Sequence, residues 1–335
     1  MMTTAPAAAV VSGNRLALAR LLTEVENNTA AGREALRELF PRTGRAHLIG
    51  ITGAPGTGKS SLVNSLARNY RLGNQKRVAI VAVDPSSPFS GGALLGDRVR
   101  MRDLSGDDGI FIRSMASRGS LGGLARATAA MTHVFDAAGY DPIIIETVGA
   151  GQGEVEVARL AHTTVVVEAP GLGDEIQAIK AGILEAADIL VVNKADRPGV
   201  ENTERALKSM LELGHPSRQA IRHHGESMQM GHEAMDPDVW IPPILRTVAT
   251  EGTGVPELAA EIERHAEHLR RTDAWAERER QRLQAELESL VQQGLVRDFR
   301  ERVKEEQYTK ILGDVFRRVL SPWDAARLLV DGKGR

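Results

Sequence analysis

The sequence of 335 residues contains no cysteine. Disulfide bonds, thiolate metal sites and cysteine nucleophiles are therefore excluded from its chemistry. No apolar run approaches the roughly 18 residues that a membrane-spanning helix needs. The N-terminal residues also lack the basic region and long apolar stretch of a signal peptide. We therefore expect a cytoplasmic protein that has no membrane partner.

Positive and negative charges are nearly balanced along the chain. The chain carries 42 lysines and arginines against 44 aspartates and glutamates, a formal net charge of −2. This balance provides no global electrostatic basis for binding nucleic acid, and we expect no such partner. Hydrophobic residues make up 42% of the chain and charged residues 26%, as in ordinary globular proteins. A chain of this length forms one large domain with appendages, or two domains.

Hydrophobic periodicity divides the chain into three regions. Residues 1–44 predict an N-terminal helical extension, with two short helices and a break near Asn27-Asn28. Residues 45–265 alternate short apolar runs with helical stretches, which predicts one α/β domain. Residues 266–335 predict a C-terminal helical dimerisation region, whose last helix begins near Pro322. Its apolar stripe consists of Leu283, Leu287, Leu290, Val291, Leu295, Phe299 and Val303.

The segment 53–60 matches the phosphate-binding pattern G-x-x-x-x-G-K-[ST] between a predicted strand and a predicted helix. Successive main-chain N–H groups and a helix N-terminus then converge on one point, which suits a polyphosphate. We expect Lys59 to reach the β- and γ-phosphates as a catalytic residue, and the Ser60 hydroxyl to ligate Mg²⁺. The alternative is a chance glycine-rich turn. The predicted nucleotide-binding residues are Gly53, Ala54, Pro55, Gly56, Thr57, Gly58, Lys59, Ser60 and Ser61.

The apolar runs of the middle region predict strands. Because these runs are continuous, they fit strands that are buried on both faces of a mostly parallel sheet. The predicted fold class is α/β, a P-loop NTPase whose mostly parallel sheet is flanked by helices, with helical N- and C-terminal extensions. The strand candidates are 47–52, 78–83, 110–112, 143–146, 164–168, 189–193 and 244–249.

Residues 193–196 read Asn-Lys-Ala-Asp and follow one of these strands. The pattern N-K-x-D indicates guanine, because the Asp196 carboxylate can accept from both N1–H and the exocyclic amine. Adenine has no such donor pair and would leave a buried carboxylate unpaired. A polar loop is the alternative for so short a motif. The predicted base-binding residues are Asn193, Lys194 and Asp196.

The segment after the last strand is predicted to supply the second wall of the base site. It reads Val248-Ala249-Thr250, where many GTPases have Ser-Ala-Lys or Ser-Ala-Leu. We expect the Ala249 main-chain N–H to donate to guanine O6. The departure from the usual residues leaves the roles of the side chains open.

Carboxylates at strand ends predict a metal site. Glu146 ends an apolar run and is expected to hold Mg²⁺ or one of its waters, while the Gly149 N–H touches the γ-phosphate. Asp84 ends a second such run, and Asp97 is expected to approach the same metal. A turn or helix cap is the alternative for Asp84, and a purely structural role is the alternative for Asp97.

Five motifs occur in order along the chain, at residues 53–60, 83–88, 94–101, 146–154 and 193–196. Together they resemble the MeaB/ArgK family of GTPases, which includes the human methylmalonic aciduria type A protein. The most specific of them are Leu-Leu-Gly-Asp-Arg and Glu-Thr-Val-Gly. The resemblance spans about residues 14–330.

The resemblance implies a GTPase that binds GTP, GDP and Mg²⁺, is related to nickel-inserting metallochaperones and forms a homodimer through its helical extensions. It also implies a chaperone that gates cofactor loading for an adenosylcobalamin-dependent acyl-CoA mutase and protects or rescues it. Adenosylcobalamin would belong to that partner. Methylmalonyl-, isobutyryl- and hydroxyisobutyryl-CoA mutases all remain open as the partner.

Two other functions remain as alternatives. A nickel-delivery GTPase is disfavoured because the chain has no cysteine and no tightly spaced ligand set. Its histidines at 215, 223, 224 and 232 fit an exposed polar loop better than a Ni²⁺ or Zn²⁺ site. An ATP-dependent kinase linked to amino-acid transport is disfavoured by the guanine motif at 193–196.

Residues 169–180 resemble the family's third switch loop, which relays the nucleotide state to the mutase. The resemblance implies catalytic roles for Asp174, Gln177 and Lys180 when the partner docks. Taken without the resemblance, these three residues lie at helical spacing on one face, and a solvated helix start is the favoured interpretation. Gln152 is a candidate for orienting the attacking water, and a polar hinge residue is its alternative.

Overall fold

A computed structural model describes most of the chain. The described residues are 5–84, 104, 106–116, 121–147, 153–171, 185–214 and 239–331. The chain forms two compact units, Met1–Arg282 and Leu283–Arg335.

The first unit is built on a seven-stranded sheet with the strand order β3-β2-β4-β1-β5-β6-β7. Every neighbouring pair is parallel. All seven predicted strands are present, and the predicted α/β class with a parallel sheet is confirmed. The strands are β1 (Leu48–Thr52), β2 (Val78–Asp84), β3 (Ile110–Ala116), β4 (Ile143–Thr147), β5 (Thr163–Glu168), β6 (Ile189–Asn193) and β7 (Ile244–Thr247).

Helices cover both faces of the sheet. Those of the first unit are α1 (Ala5–Val11), α2 (Arg15–Glu26), α3 (Ala30–Leu39), α4 (Lys59–Asn74), α5 (Leu121–Ala137), α6 (Gly153–Leu160), α7 (Val200–Gly214) and α8 (Val255–Arg271). The long helix α9 (Ala274–Arg302) begins in the first unit and ends in the second, which also contains α10 (Glu305–Phe316) and α11 (Pro322–Asp331).

The N-terminal extension contains one helix more than we expected. Helices α2 and α3 match the two predicted helices, and each begins at a polar cap. Asn14 accepts a hydrogen bond from the Ala17 N–H, and Thr29 accepts one from the Gly32 N–H. The additional helix α1 is alanine-rich and lacks the apolar periodicity that would have revealed it.

The continuous apolar runs are explained by burial on both faces of the sheet. Every residue of β1, β4, β5 and β6 is buried. One apolar layer joins the sheet to the N-terminal helices and α5, and contains Phe111, Phe135 and Tyr140. The other joins the sheet to α4 and α8. With both faces covered, the strand ends are the places where a ligand can reach the sheet.

A buried polar network lies at the amino ends of β1 and β5. His47, His162 and His265 are 3%, 2% and 0% exposed. His47 Nε2 and His265 Nδ1 both lie within hydrogen-bond distance of Thr163 Oγ1, at 2.7 and 2.8 Å. The Trp275 ring at the start of α9 stacks on His162 with 4.0 Å between centroids. This network joins the first turn of α9 to the sheet.

In the described ranges, no helix has both the length and the apolar character needed to cross a bilayer.

Candidate nucleotide-binding site

The predicted site residues collect at the carboxyl ends of the central strands. β1 lies between β4 and β5, and the chain leaves β1 directly into the loop that precedes α4. In a parallel sheet of this kind, ligands bind outside the carboxyl ends of the strands, where the strand order reverses. The sheet therefore places the ends of β4, β5 and β6 around the loop.

Two glycines of the loop are required by their surroundings. Gly53 has φ 132°, and a Cβ added to it would lie 2.1 Å from the Val167 carbonyl oxygen. Gly58 has φ 93°, and a Cβ there would lie 2.5 Å from Asn193 Nδ2. Both conformations are costly for any other residue, and both positions lack space for a side chain. The glycines thus let the loop pack directly against β5 and β6.

The Lys59 side chain lies back along the loop. Its Nζ donates to the carbonyl oxygens of Gly53 at 2.7 Å and Ala54 at 2.8 Å, and the residue is only 5% exposed. Thr57 Oγ1 donates to the same Ala54 carbonyl at 3.0 Å. These bonds hold the positively charged Lys59 ammonium group at the point where the phosphate loop meets α4. No acidic residue lies in the first turn of this helix, so its N-terminus keeps its attraction for anions.

Ser60 and Glu146 bring two hard oxygen groups together. Ser60 Oγ donates to Glu146 Oε1 at 2.5 Å, and Glu146 is 2% exposed in β4. A hydroxyl and a carboxylate are ligands that Mg²⁺ prefers, so this pair fits the predicted metal. Asp84 is the last residue of β2, the strand that pairs with β4. The side chain of Asp84 lies outside the described part of the chain.

Asn193 and Lys194, the first two residues of the guanine motif, form hydrogen bonds with the phosphate loop and with the end of β7. Asn193 Nδ2 donates to the Thr57 carbonyl at 2.8 Å, and its Oδ1 accepts from Thr247 Oγ1 at 3.0 Å. Lys194 has φ 57°, and its Nζ donates to the Gly56 carbonyl at 2.6 Å. These residues therefore tie the phosphate loop to the loop after β7.

The predicted base-binding residues lie on turns beside this connection. Asp196 is exposed in the turn after β6. Val248 pairs with Thr253 in an isolated bridge, Ala249 is 3% exposed, and Thr250 is exposed. The Ala249 N–H, which we expected to face guanine O6, donates here to Asn193 Oδ1 at 3.1 Å.

Sequence reasoning overlooked one residue at this point. Ser65, on α4, donates from Oγ to the Ala249 carbonyl oxygen at 2.5 Å. A serine inside a predicted helix has no signal that separates it from an ordinary surface position. Only the packing of α4 against the loop after β7 identifies it.

Several predicted site residues lie outside the described part of the chain. They are Asp97, Gly149, Gln152, Asp174, Gln177 and Lys180, and the histidines at 215, 223, 224 and 232 lie outside it as well.

Comparison with known proteins decides the family. The profile of the family described as Methylmalonyl Co-A mutase-associated GTPase MeaB matches residues 18–304. The chain belongs to the MeaB family. A Pyrococcus abyssi protein named as a GTPase is 42% identical to it over 318 residues, which cover 95% of this chain and 93% of that protein. The mitochondrial methylmalonic aciduria type A homolog of Caenorhabditis elegans is 33% identical over 270 residues, 76% of this chain and 63% of that protein.

A solved structure supports the fold. The crystal structure of an LAO/AO transport system kinase matches with a TM-score of 0.67 at 24% identity, and covers 97% of this chain and 95% of that one. Together with membership of the MeaB family, the P-loop fold makes the protein a GTPase, as the sequence predicted.

Proposed function

We propose that the protein is a Mg²⁺-dependent GTPase that serves as chaperone to an adenosylcobalamin-dependent acyl-CoA mutase, methylmalonyl-CoA mutase or a close relative. In this role it gates cofactor loading and protects or reactivates the mutase. The observation that carries the guanine part is the set of bonds from Asn193 and Lys194 to the phosphate loop. From these bonds we infer that Asp196, two residues further on, lies beside the polyphosphate, where its carboxylate selects guanine.

The phosphate subsite is assigned to the loop and the start of α4. The main-chain N–H groups of residues 53–61, except for Pro55, which has none, would face the α- and β-phosphates. Lys59 already lies over the loop and would exchange its two carbonyl contacts for β- and γ-phosphate oxygens. A cation held there offsets the charge that develops between these phosphates during hydrolysis. We assign the Gly149 N–H to the γ-phosphate and Gln152 to the attacking water.

The metal subsite is assigned to Ser60, Glu146, Asp84 and Asp97. Bound Mg²⁺ would supply positive charge to the β- and γ-phosphate oxygens. The chain's own contribution is to hold the ligands in place. The Ser60 hydroxyl and the Glu146 carboxylate, which lie 2.5 Å apart, are carried by the start of α4 and by the fully buried strand β4.

The names of the family and of one relative support a mutase as the partner. The family description refers to methylmalonyl-CoA mutase, and the Caenorhabditis elegans relative is named for methylmalonic aciduria. We assign partner-stimulated hydrolysis to Asp174, Gln177 and Lys180. Docking of the mutase shifts the nucleotide-dependent switch only if the mutase binds one nucleotide state of this protein better than the other. Adenosylcobalamin is held by the mutase and not by this chain.

A homodimer is part of the proposal, with residues 266–335 as the dimerisation region and residues 1–44 as a helical appendage to the GTPase domain of 45–265. Large apolar side chains of the second unit are exposed in the single chain. Among them are Leu287 at 62%, Leu295 at 65%, Phe316 at 87% and Trp323 at 87%. Exposed large apolar side chains in this number support an interaction surface on the second unit. A second copy of the chain is the occupant we propose.

The base assignment is tested by nucleotide affinity. The unmodified protein is expected to bind GDP well and ADP poorly. Asp196→Asn should weaken GDP binding by roughly ten- to hundred-fold, since a hydrogen bond to a charged group is lost. Calorimetric titration measures both. Equal affinities of the unmodified protein for GDP and ADP would refute the guanine assignment and favour the kinase alternative.

The chaperone assignment is tested by GTP turnover with and without each candidate mutase from the same cell. The correct mutase should accelerate turnover about ten-fold or more, a barrier lowered by about 1.4 kcal/mol. Lys180→Ala should lose this acceleration and keep the slow intrinsic rate. If no cobalamin-dependent mutase binds or accelerates the protein, the chaperone role is wrong and the GTPase assignment stands alone.

A further inference from the structure

Ser65 lies on α4, outside the phosphate-binding pattern and outside the guanine motif. Its side chain is partly buried, and its Oγ donates to the carbonyl oxygen of Ala249, 184 residues further along the chain. The hydrogen bond is 2.5 Å long. It joins the helix that carries Lys59 and Ser60 to the turn that forms one wall of the proposed base site.

The turn that Ser65 contacts is held at several points. The Val248 N–H donates to the Thr253 carbonyl at 3.0 Å, and the Gly252 N–H donates back to the Val248 carbonyl at 3.0 Å. The Ala249 N–H donates to Asn193 Oδ1. The Glu251 N–H donates to the Val248 carbonyl as well, at 3.0 Å. None of these bonds engages the peptide between Ala249 and Thr250. Ser65 anchors its carbonyl group.

Fixing that carbonyl also fixes the next N–H. A trans peptide is planar, and its C=O and N–H point in opposite directions. With the Ala249 carbonyl directed at α4, the Thr250 N–H must be directed away from α4. Thr250 is exposed, and within the described residues its N–H donates no hydrogen bond. It is therefore a donor left available to a ligand.

We propose that Ser65 is a positioning residue for guanine selectivity, which holds the Ala249–Thr250 peptide so that the Thr250 N–H faces O6 of the base. Guanine has an acceptor at this position, whereas adenine has an amine that cannot accept from an N–H. The inference rests on the proposed function, because it assumes a guanine nucleotide at the site. It reassigns the O6 contact from the Ala249 N–H, which Asn193 occupies.

The test compares Ser65→Ala, the conservative Ser65→Thr and the exposed control Arg68→Ala on the same helix. Affinities for GDP, ADP, IDP and 6-thio-GDP are measured by calorimetry. In 6-thio-GDP sulfur replaces O6 and is the weaker hydrogen-bond acceptor. IDP keeps O6 and the N1–H and lacks only the exocyclic amine, one of the two groups assigned to Asp196. The two analogues thus report separately on the two walls of the base site.

Ser65→Ala is expected to weaken GDP binding by about three- to ten-fold, the worth of one modest hydrogen bond. The preference for GDP over 6-thio-GDP should fall by the same factor, while the preference for GDP over IDP stays unchanged. Ser65→Thr should restore the first preference, and Arg68→Ala should alter neither. A purely structural role would lower the thermal midpoint and leave both preferences intact.

Two results would overturn the inference. One is a preference for GDP over 6-thio-GDP in Ser65→Ala that equals that of the unmodified protein. The other is the absence of this preference in an unmodified protein that still discriminates against ADP. A failure of the proposed function looks different, because the unmodified protein would then bind ADP as tightly as GDP.

Discussion

Arg278 forms a two-point ion pair with Asp188. Its Nη1 and Nη2 donate to the two carboxylate oxygens at 2.8 and 2.7 Å. Burial alone would raise the pKa of Asp188, but the hydrogen bonds from Arg278 and His265 outweigh it and lower the pKa to about 2. The carboxylate also accepts the Thr164 N–H at 2.8 Å. One buried side chain thus connects β5, α8 and the start of α9.

Asp188→Asn is expected to destabilise the first unit strongly. The substitution leaves Arg278 without its charged partner in a largely buried setting, and breaking such pairs costs about 3–5 kcal/mol. Because Arg278 is 34% exposed, solvent reduces this cost, and we expect a value near the lower end. Urea unfolding followed by circular dichroism measures it. Glu277→Gln on the same helix, which removes an exposed pair with Arg280, is the control and should change little.

Stability should fall on acidification from neutral pH towards pH 5. Burial, followed by repulsion from His162, lowers the pKa of His47 well below its ordinary value of 6.5. Burial also lowers the pKa of His162. Below about pH 6.5 the unfolded chain therefore binds protons that the folded protein excludes, and the free energy of unfolding decreases as pH falls. Above that pH both histidines are neutral in both states and contribute no slope.

Two carboxylates of the buried polar network titrate at lower pH than the histidines. The pKa values of Asp188 and Glu279 are both lowered to about 2, against ordinary values of 3.8 and 4.5. Both carboxylates stabilise the fold above their unfolded pKa, and the contribution is lost as pH falls towards 2. They add no slope between pH 5 and 7. Unfolding free energies measured across that range isolate the histidines, and a stability that is flat or rises on acidification would contradict this account.

A site residue could be predicted from the sequence when the groups it acts with lie close to it along the chain. The phosphate loop and the motif at 193–196 were identifiable because their functional groups are close in sequence. The strands were identifiable because burial on both faces makes them continuously apolar. In contrast, the hydrogen bonds that Ser65 and Asn193 form with Ala249 join residues far apart in sequence, and only the packing of the fold brings them together.

The histidines illustrate the same limit. Four histidines occur close together in the sequence between residues 215 and 232, outside the described part of the chain. Among the described residues, His47, His162 and His265 form a buried cluster, and they come from the approaches to β1 and β5 and from α8. No local pattern relates these three positions. They meet because the sheet brings the amino ends of β1 and β5 together beneath α8.

Gly58→Ala should impair nucleotide binding more than Gly56→Ala. Both glycines have positive φ, 93° and 79°, so both substitutions strain the backbone. Only at Gly58 would the new Cβ also meet Asn193 Nδ2, at 2.5 Å, whereas nothing lies within 4 Å at Gly56. Displacing Asn193 disturbs its hydrogen bonds with Thr247 and Ala249, which connect the phosphate loop to the loop after β7. GDP affinity measures the difference, and equal losses for the two variants would show that the clash has no effect.

Glu146→Gln should raise the Mg²⁺ concentration needed for half-maximal GTP turnover by about ten-fold or more, because a neutral amide is a weaker ligand than a carboxylate. GDP binding measured without Mg²⁺ should be largely retained. The exposed Glu267→Gln on α8 serves as the control for loss of one negative charge. A Glu146→Gln variant with an unchanged Mg²⁺ titration would remove Glu146 from the metal site.

Leu295→Glu should convert the proposed homodimer to a monomer. Leu295 is 65% exposed in the single chain, so a charge there costs the folded monomer little. In a dimer that covers this face, the same carboxylate would be buried without a partner, at a cost of several kcal/mol for each copy. Light scattering at micromolar concentration measures the mass, and the nearby exposed Arg297→Ala should leave it unchanged. If the unmodified protein is itself a monomer, a second copy does not cover this face, and the dimerisation role of residues 266–335 is wrong.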